Sequence, residues 1–279
     1  MTPCQRLMNA EVCSLVDALM WLYCQARSRR RRPWRPRGYD SPVNDRTERI
    51  NQLRQAPAYA MAEAAHYLRL PTSTLRAWCL GQAYGPKQDR APFARVIEIA
   101  DPKAKALSFM NLVEAHVLAS LRRELAISLP KIRDAVAYLQ RELNSSRPLA
   151  EQRFYTDGAD LLIEHLDGLL NVNRRQYEIK DVIQAYLRRV ERDSSGLPIK
   201  LFPLTREQAP GTQPSHIVID PQVAFGRPVL VGTGIPTAVL AERFKAGEDE
   251  AALAEDYGVE PGAIAEAIRC ELDLQLKAA

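Results

Sequence analysis

Between Ala58 and Trp78 the chain reads AYAMAEAAHYLRLPTSTLRAW. Apolar positions at helical spacing run as far as Leu70, a proline interrupts them, and the same spacing resumes at once. A steeply packed pair of helices needs a small residue midway along the first helix, a tight turn four positions on and an apolar residue straight after it. Two more inward residues then follow on the second helix. Ala65, Arg69, Leu70, Leu75 and Trp78 fill these places in order. Arginine stands at the turn, where glycine is usual because only glycine takes left-handed backbone without cost. With Leu75 and Trp78 turned inward, the outward positions are Thr72, Ser73, Arg76 and Ala77.

The same template fits a second time, with glycine at the turn: Ala254, Gly258, Val259, Ile264 and Ala267. Its outward positions are expected to be Glu260, Pro261, Gly262, Ala265, Glu266 and Arg269. Between the two units, FARVIEIA and ALSF are short apolar runs joined by Asp-Pro-Lys-Ala-Lys. They predict a hairpin with Lys103 and Lys105 at its tip. Leu112, Val113, Val117, Leu118 and Leu121 then give one helix a buried stripe, and Ile132, Val136, Leu139 and Leu143 give the next, capped at Ser128 with Pro130 in its first turn. RFYTDGADLLIEHLDGLLNV, with its Asp-Gly pairs, reads as a strand hairpin. A helix is expected over 178–192, a strand over 197–204 and a linker over 207–215. In the last unit Gly226, Gly232, Gly234 and Gly247 suit turns and a helix end, Thr237 suits a cap, and three helical segments follow.

The predicted fold is mainly α with small β-hairpins, an α+β chain in four parts. Residues 1–57 are an N-terminal helix and a basic, solvated linker. Residues 58–143 are a winged helix-turn-helix, residues 144–206 an α+β middle segment, and residues 216–277 a C-terminal helix-turn-helix-like domain.

Charge separates the two helix pairs. Residues 1–56 are net +6, with seven arginines in the stretch RSRRRRPWRPR, residues 57–141 are net +5, and residues 142–279 are net −7. From Glu248 to Asp273 nine acidic residues face one basic residue. A solvated helical hairpin has the same inward pattern as a DNA reader, but the first unit sits in a positive segment that can approach phosphates. The second unit would be repelled by them, which points it to a protein contact, either self-association or a partner. Candidate DNA-binding residues are therefore Arg69, Thr72, Ser73, Arg76, Lys103 and Lys105. Candidate partner-binding residues are Glu260, Glu266 and Arg269. Two symmetric modules one DNA turn apart read a palindrome better than one, so a homodimer is expected.

Other chemistry finds little support. The five cysteines include no C-x-x-C spacing and the four histidines are isolated, so no metal site is expected from sequence neighbours, and His66, His116 and His165 read as packed or surface residues. The GTG stretch lacks a following Gly-Lys-Ser/Thr and is turn punctuation rather than a phosphate cradle. Asp157, Asp160 and Glu164 could contribute to a dispersed nuclease site, but a hairpin turn accounts for them, and neither catalysis nor a cofactor is expected. No run approaches the roughly 20 apolar residues of a membrane span, so a cytoplasmic, membrane-free chain is expected.

YAMAEAAHYLRLPTSTLRAW, with the expected hairpin and LSFMNLVEAHVLASLRR after it, resembles the winged helix-turn-helix of MerR-type regulators. VIDPQVAFGRPVLVGTGIPTAVLAERFKAGEDEAALAEDYGVEPGAIAEAI resembles a small bacterial domain of formally unknown function, through its G-R-P, its G-T-x-I-P and its acidic helix-turn-helix. Together they resemble the two-domain VapB-type antitoxins encoded beside PIN-domain ribonuclease toxins, with residues 1–57 outside the likeness. The resemblance implies a DNA-binding antitoxin of a type II toxin-antitoxin system, a transcription regulator that binds double-stranded DNA of its own promoter and neutralises the ribonuclease by direct contact. The alternative is a stand-alone MerR-like regulator whose residues 144–206 sense a small molecule. A third reading is an interaction adaptor whose two helix pairs only pack.

Overall fold

In the computed structural model, which describes residues 42–84, 91–151, 154, 158–170, 176–206 and 214–272, the break at Pro71 separates two helices as the spacing predicts. The chain divides into two compact units, residues 1–46 and 47–279, and the arrangement below is that of the second. The expected helix over 1–26 and the arginine-rich stretch lie outside the described residues.

Helix α1 (Pro42–Gln55) lies where the sequence reading expects the linker. Arg54, in its last turn, is buried and bonds Asn51 Oδ1 at 2.9 Å and Asp193 Oδ2 at 2.5 Å. Strand β1 (Tyr59–Ala60) leads into the first pair, α2 (Met61–Tyr67) and α3 (Thr72–Leu80). A hairpin of β2 (Gln82–Tyr84) and β3 (Ala91–Phe93) follows directly. It corrects the expected hairpin, since FARVIEIA does not pair with ALSF. Instead β4 (Ala106–Leu107) pairs with β1, while Val96 and Ile97 donate their backbone N–H groups to the Trp78 carbonyl at 2.7 and 3.1 Å. Only the turn between them holds, as a bridge between Asp101 and Ala106. A short apolar run pairs with whatever edge reaches it, and for ALSF that edge is β1, from almost fifty positions away.

Helix α4 (Phe109–Arg123) is buried on all sides from Phe109 to Leu121, not along one stripe, and forms the centre of the larger core. Ser108 caps it: Asn111 N donates to Ser108 Oγ at 3.2 Å and Ser108 N donates back to Asn111 Oδ1 at 3.1 Å, a reciprocal capping arrangement. Helix α5 (Leu129–Glu142) has Pro130 in its first turn as expected, but Ser128 contributes no side-chain cap. The stretch read as a strand hairpin is helix α6 (Ala159–Leu170). Its Leu162, Ile163, Leu166, Leu169 and Leu170 recur at three and four positions, and this periodicity overrides the Asp-Gly turn signal. Helix α7 (Gln176–Leu187) follows.

One antiparallel sheet joins the middle of the chain to its C-terminal part. Its order is β5 (Val190–Arg192), β6 (Pro198–Leu201), β7 (Ile217–Ile219) and β8 (Pro228–Leu230), with Val190 opposite Leu201, Leu201 opposite Ile219, and Ile217 opposite Leu230. Helices α8 (Thr237–Lys245), α9 (Glu250–Tyr257) and α10 (Pro261–Leu272) complete the C-terminal part around a second core of Ile217, Leu230, Leu240, Leu253, Ile264 and Ala267. Thr237 is not the cap of α8 but its first residue, with its hydroxyl buried against the Pro228 carbonyl and Glu271. Among the described residues no helix is long and apolar enough to cross a membrane.

Candidate nucleic-acid interface

The two helix pairs share one turn, down to its hydrogen bonds. In the first, Leu70 N donates to Ala65 O at 2.8 Å and Arg69 N to His66 O at 2.9 Å. In the second, Val259 N donates to Ala254 O at 3.0 Å and Gly258 N to Glu255 O at 3.2 Å. This nested pair needs a left-handed residue at its centre. Arg69 has φ +52° and Gly258 φ +62°. Ala65, Leu70, Leu75 and Trp78 are buried in the first pair, and Ala254, Ile264 and Ala267 in the second. The template read from the sequence is therefore a real turn at both places.

In the first pair Thr72, Ser73 and Arg76 are exposed on the outer face of α3, and Ala77 is half-buried. Lys103 and Lys105 are exposed on the turn between Asp101 and Ala106, where Asp101 Oδ1 accepts from Lys103 N at 2.8 Å. Arg69 does not join that face. Its guanidinium donates to the Thr205 carbonyl, and its own carbonyl accepts from Arg123 Nη2 at 2.6 Å. Arg123, at the end of α4, thus brings a cation to the turn, which no local pattern announces. The hairpin β2–β3, placed straight after α3, also escaped the sequence reading. Its three-residue arms are too short for alternation to register, and the Gly85-Pro86 pair was its one turn signal.

The inner side of the first pair is held by the C-terminal part of the chain. Tyr59 Oη donates to Gly226 O at 3.0 Å, Arg227 pairs with Glu63 and donates to Tyr67 Oη at 3.3 Å, and His66 Nε2 lies 3.5 Å from Glu271 Oε2. Helix α2 is therefore covered, while the outer face of α3 stays open.

The second pair differs from expectation at its partner-facing residues. Glu260 is exposed and Arg269 half-buried, but Glu266, expected outward, is 1% exposed and paired with Arg206 and Arg269. The reason is a strap, residues 202–206, whose Arg206 side chain reaches Glu266 of α10. Arg189 holds the strap from below through Phe202 O at 3.0 Å and Pro203 O at 2.9 Å. Helical periodicity finds the face; it has no knowledge of the segment that covers it. A single strap is thus gripped by Arg69 of the first turn and, one residue later, by Glu266 of the second pair.

The remaining buried polar groups serve the core. Glu114, beside Asn111 at 2.9 Å, has its carboxyl pushed by burial up to about 7. Burial pushes the His116 imidazole down to about 4, and its Nε2 lies 3.1 Å from Tyr186 O. His165 stacks on Tyr138 at 4.3 Å and meets Asp134 Oδ2 at 2.9 Å. Asp160 pairs with Lys180 at 2.7 Å and Glu164 is exposed, while Asp157 lies outside the described residues. Among the described residues no three metal-binding side chains converge.

Residues 57–136 match the family described as "Putative DNA-binding HTH domain", and residues 217–269 match "Protein of unknown function (DUF433)". The chain is 28% identical over 229 residues to "Putative antitoxin VapB45" of Mycobacterium tuberculosis, which covers 76% of this chain and 92% of that one. It is 27% identical over 234 residues to "Uncharacterized protein Rv2308" of the same organism, covering 78% of this chain and 92% of that one. Its fold is similar to the crystal structure of Rv2018 from Mycobacterium tuberculosis, with TM-score 0.57 and 24% identity, over 76% of this chain and 98% of that one. The chain thus joins a helix-turn-helix domain of the first family to a DUF433 domain, a mainly α fold with small β-sheets in which the helix-turn-helix template is used twice.

Proposed function

We propose that the protein is a cytoplasmic, homodimeric DNA-binding antitoxin that reads its own promoter through α3, represses its operon and engages a PIN-domain ribonuclease through its C-terminal part. The observation that carries the reading is the unequal treatment of two matching turns. The first leaves Thr72, Ser73 and Arg76 open in a segment of net positive charge, whereas the second carries Pro261, Gly262 and Ala265 at the matching positions, in an acidic segment whose Glu266 is held by Arg206. Hydroxyls at the start of α3 suit phosphate or base-edge contacts, and Arg76 can fork onto a guanine. Lys103 and Lys105 add phosphate contacts that strengthen binding without selecting sequence. The similarity to a protein named as an antitoxin supports the toxin as partner.

A gel shift on the upstream DNA tests this. Arg76→Ala, on an exposed position, leaves the fold intact and weakens binding by about 1–3 kcal/mol if the side chain reads a base. Lys103→Ala and Lys105→Ala weaken it on all sequences and flatten the salt dependence. Equal binding by wild type and Arg76→Ala removes the assigned role. Co-purification with the product of the neighbouring gene tests the toxin, and a chain that binds DNA but no neighbour is a stand-alone regulator.

A further inference from the structure

Phe225 is 95% exposed, against 40–47% for Leu53, Val231 and Val239, the other exposed large apolar side chains among the described residues. It sits in a short turn, Ala224–Gly226, whose φ angles are +46°, +55° and +77° in succession. Left-handed backbone is readily available to glycine but strained for alanine and more so for a bulky aromatic. The turn is nevertheless over-determined. Gln222 N bonds Asp220 Oδ1 at 2.8 Å, Gly226 N bonds Val223 O at 2.9 Å, and Arg227 N bonds Ala224 O at 3.1 Å. Tyr59 Oη takes the Gly226 carbonyl, and a Cβ at Gly226 would stand 2.3 Å from that hydroxyl. Arg227, the next residue, is tied to Glu63. Two unfavourable features therefore coincide at Phe225, a backbone that the surrounding bonds hold in a strained conformation and an aromatic ring that no described residue covers. Strain that the surroundings enforce in this way belongs to sites that act on something outside.

We propose that Phe225 is the anchor by which the C-terminal part of the protein docks on its ribonuclease partner, its ring entering an apolar pocket there. The inference rests on the antitoxin reading above and names the contact. Charge complementarity selects the occupant. Among the described residues of this part the basic side chains are already engaged, Arg227 by Glu63, Arg243 by Glu248 and Asp256, Lys245 by Glu242, and Arg269 by Glu266. Exposed acids such as Glu255 and Glu260 remain. A ribonuclease must present a cationic surface to hold RNA, whereas a second copy of this acidic part would be repelled. Because Gly226 and Arg227 bond to β1 and α2, the anchor is also rigidly referenced to the helix pair that faces DNA.

The test uses the full chain and the purified product of the neighbouring gene, with affinity measured by calorimetry. Phe225→Ser is expected to raise Kd at least about thirtyfold, the loss typical of a buried aromatic anchor, while binding of promoter DNA stays as in wild type. Phe225→Gly is expected to lose partner binding equally and to unfold at a higher temperature, since it relieves the backbone. Partner binding by wild type and Phe225→Ser with equal affinity overturns the anchor and leaves the antitoxin reading standing. Failure of wild type itself to bind overturns both. Dissociation of a dimer by Phe225→Ser, at unchanged partner affinity, overturns the proposal in favour of a second copy.

Discussion

Matching turns with different central residues allow the backbone and side-chain contributions to be separated. At Gly258 a Cβ would meet nothing within 4 Å, so Gly258→Ala incurs only the left-handed conformation, about 1–2 kcal/mol, reduced by the smaller entropy that alanine has in the unfolded chain. At Arg69 an L-residue already bears that cost at φ +52°. Arg69→Ala therefore loses only the side chain, whose charge-assisted bond to Thr205 O contributes about 1.5–3 kcal/mol. Arg69→Gly loses the same bond but recovers about 1 kcal/mol of backbone strain. The expected order of stability is wild type, then Arg69→Gly, then Arg69→Ala, with the two variants about 1 kcal/mol apart. Urea unfolding of the full chain measures this, provided the slope is unchanged between variants. Each kcal/mol corresponds to a melting shift of about 2–4 °C for a domain of this size. If Arg69→Gly proves as stable as wild type, the guanidinium does not secure the strap. If Gly258→Ala proves neutral, the conformational argument fails at both turns.

Other outcomes follow from the buried groups. The native pKa of Glu114 is raised from 4.5 to about 7, so the folded state holds a proton the unfolded state has lost, and stability falls with rising pH across that interval. The native pKa of His116 is lowered from 6.5 to about 4, so stability rises with pH across that one. The two slopes oppose each other between pH 4.5 and 6.5: Glu114→Gln is expected to gain stability with pH there by up to about 1.4 kcal/mol per unit relative to wild type, and a slope unchanged by the substitution contradicts the assignment. Gly226→Ala combines φ +77° with a collision at Tyr59 Oη, and is expected to lower the melting temperature more than Gly258→Ala does. Glu266 is best tested from its partners. Losing Arg206 alone leaves Arg269 to pair with the buried carboxylate, but losing both leaves it uncompensated, expected to cost about 3–5 kcal/mol in chemical denaturation.

Both helix-turn-helix units were legible in the sequence because their determinants are local. A small residue, a left-handed turn and three apolar positions lie within fourteen residues, and the bonds that close the turn span only five. The charge difference between the two units is equally local. Tertiary structure alone decided which outward faces stay outward. Thr72, Ser73 and Arg76 remain open because no described segment packs on them, whereas Glu266 is buried by an arginine sixty positions earlier and Arg69 is turned aside by a carbonyl at Thr205. The exposure of Phe225 likewise depends on Tyr59 gripping the residue beside it, Gly226, 167 positions away. Periodicity reports how a segment divides its own surface, but the partner that covers either side arrives from a remote part of the chain, and only the folded core brings the two together.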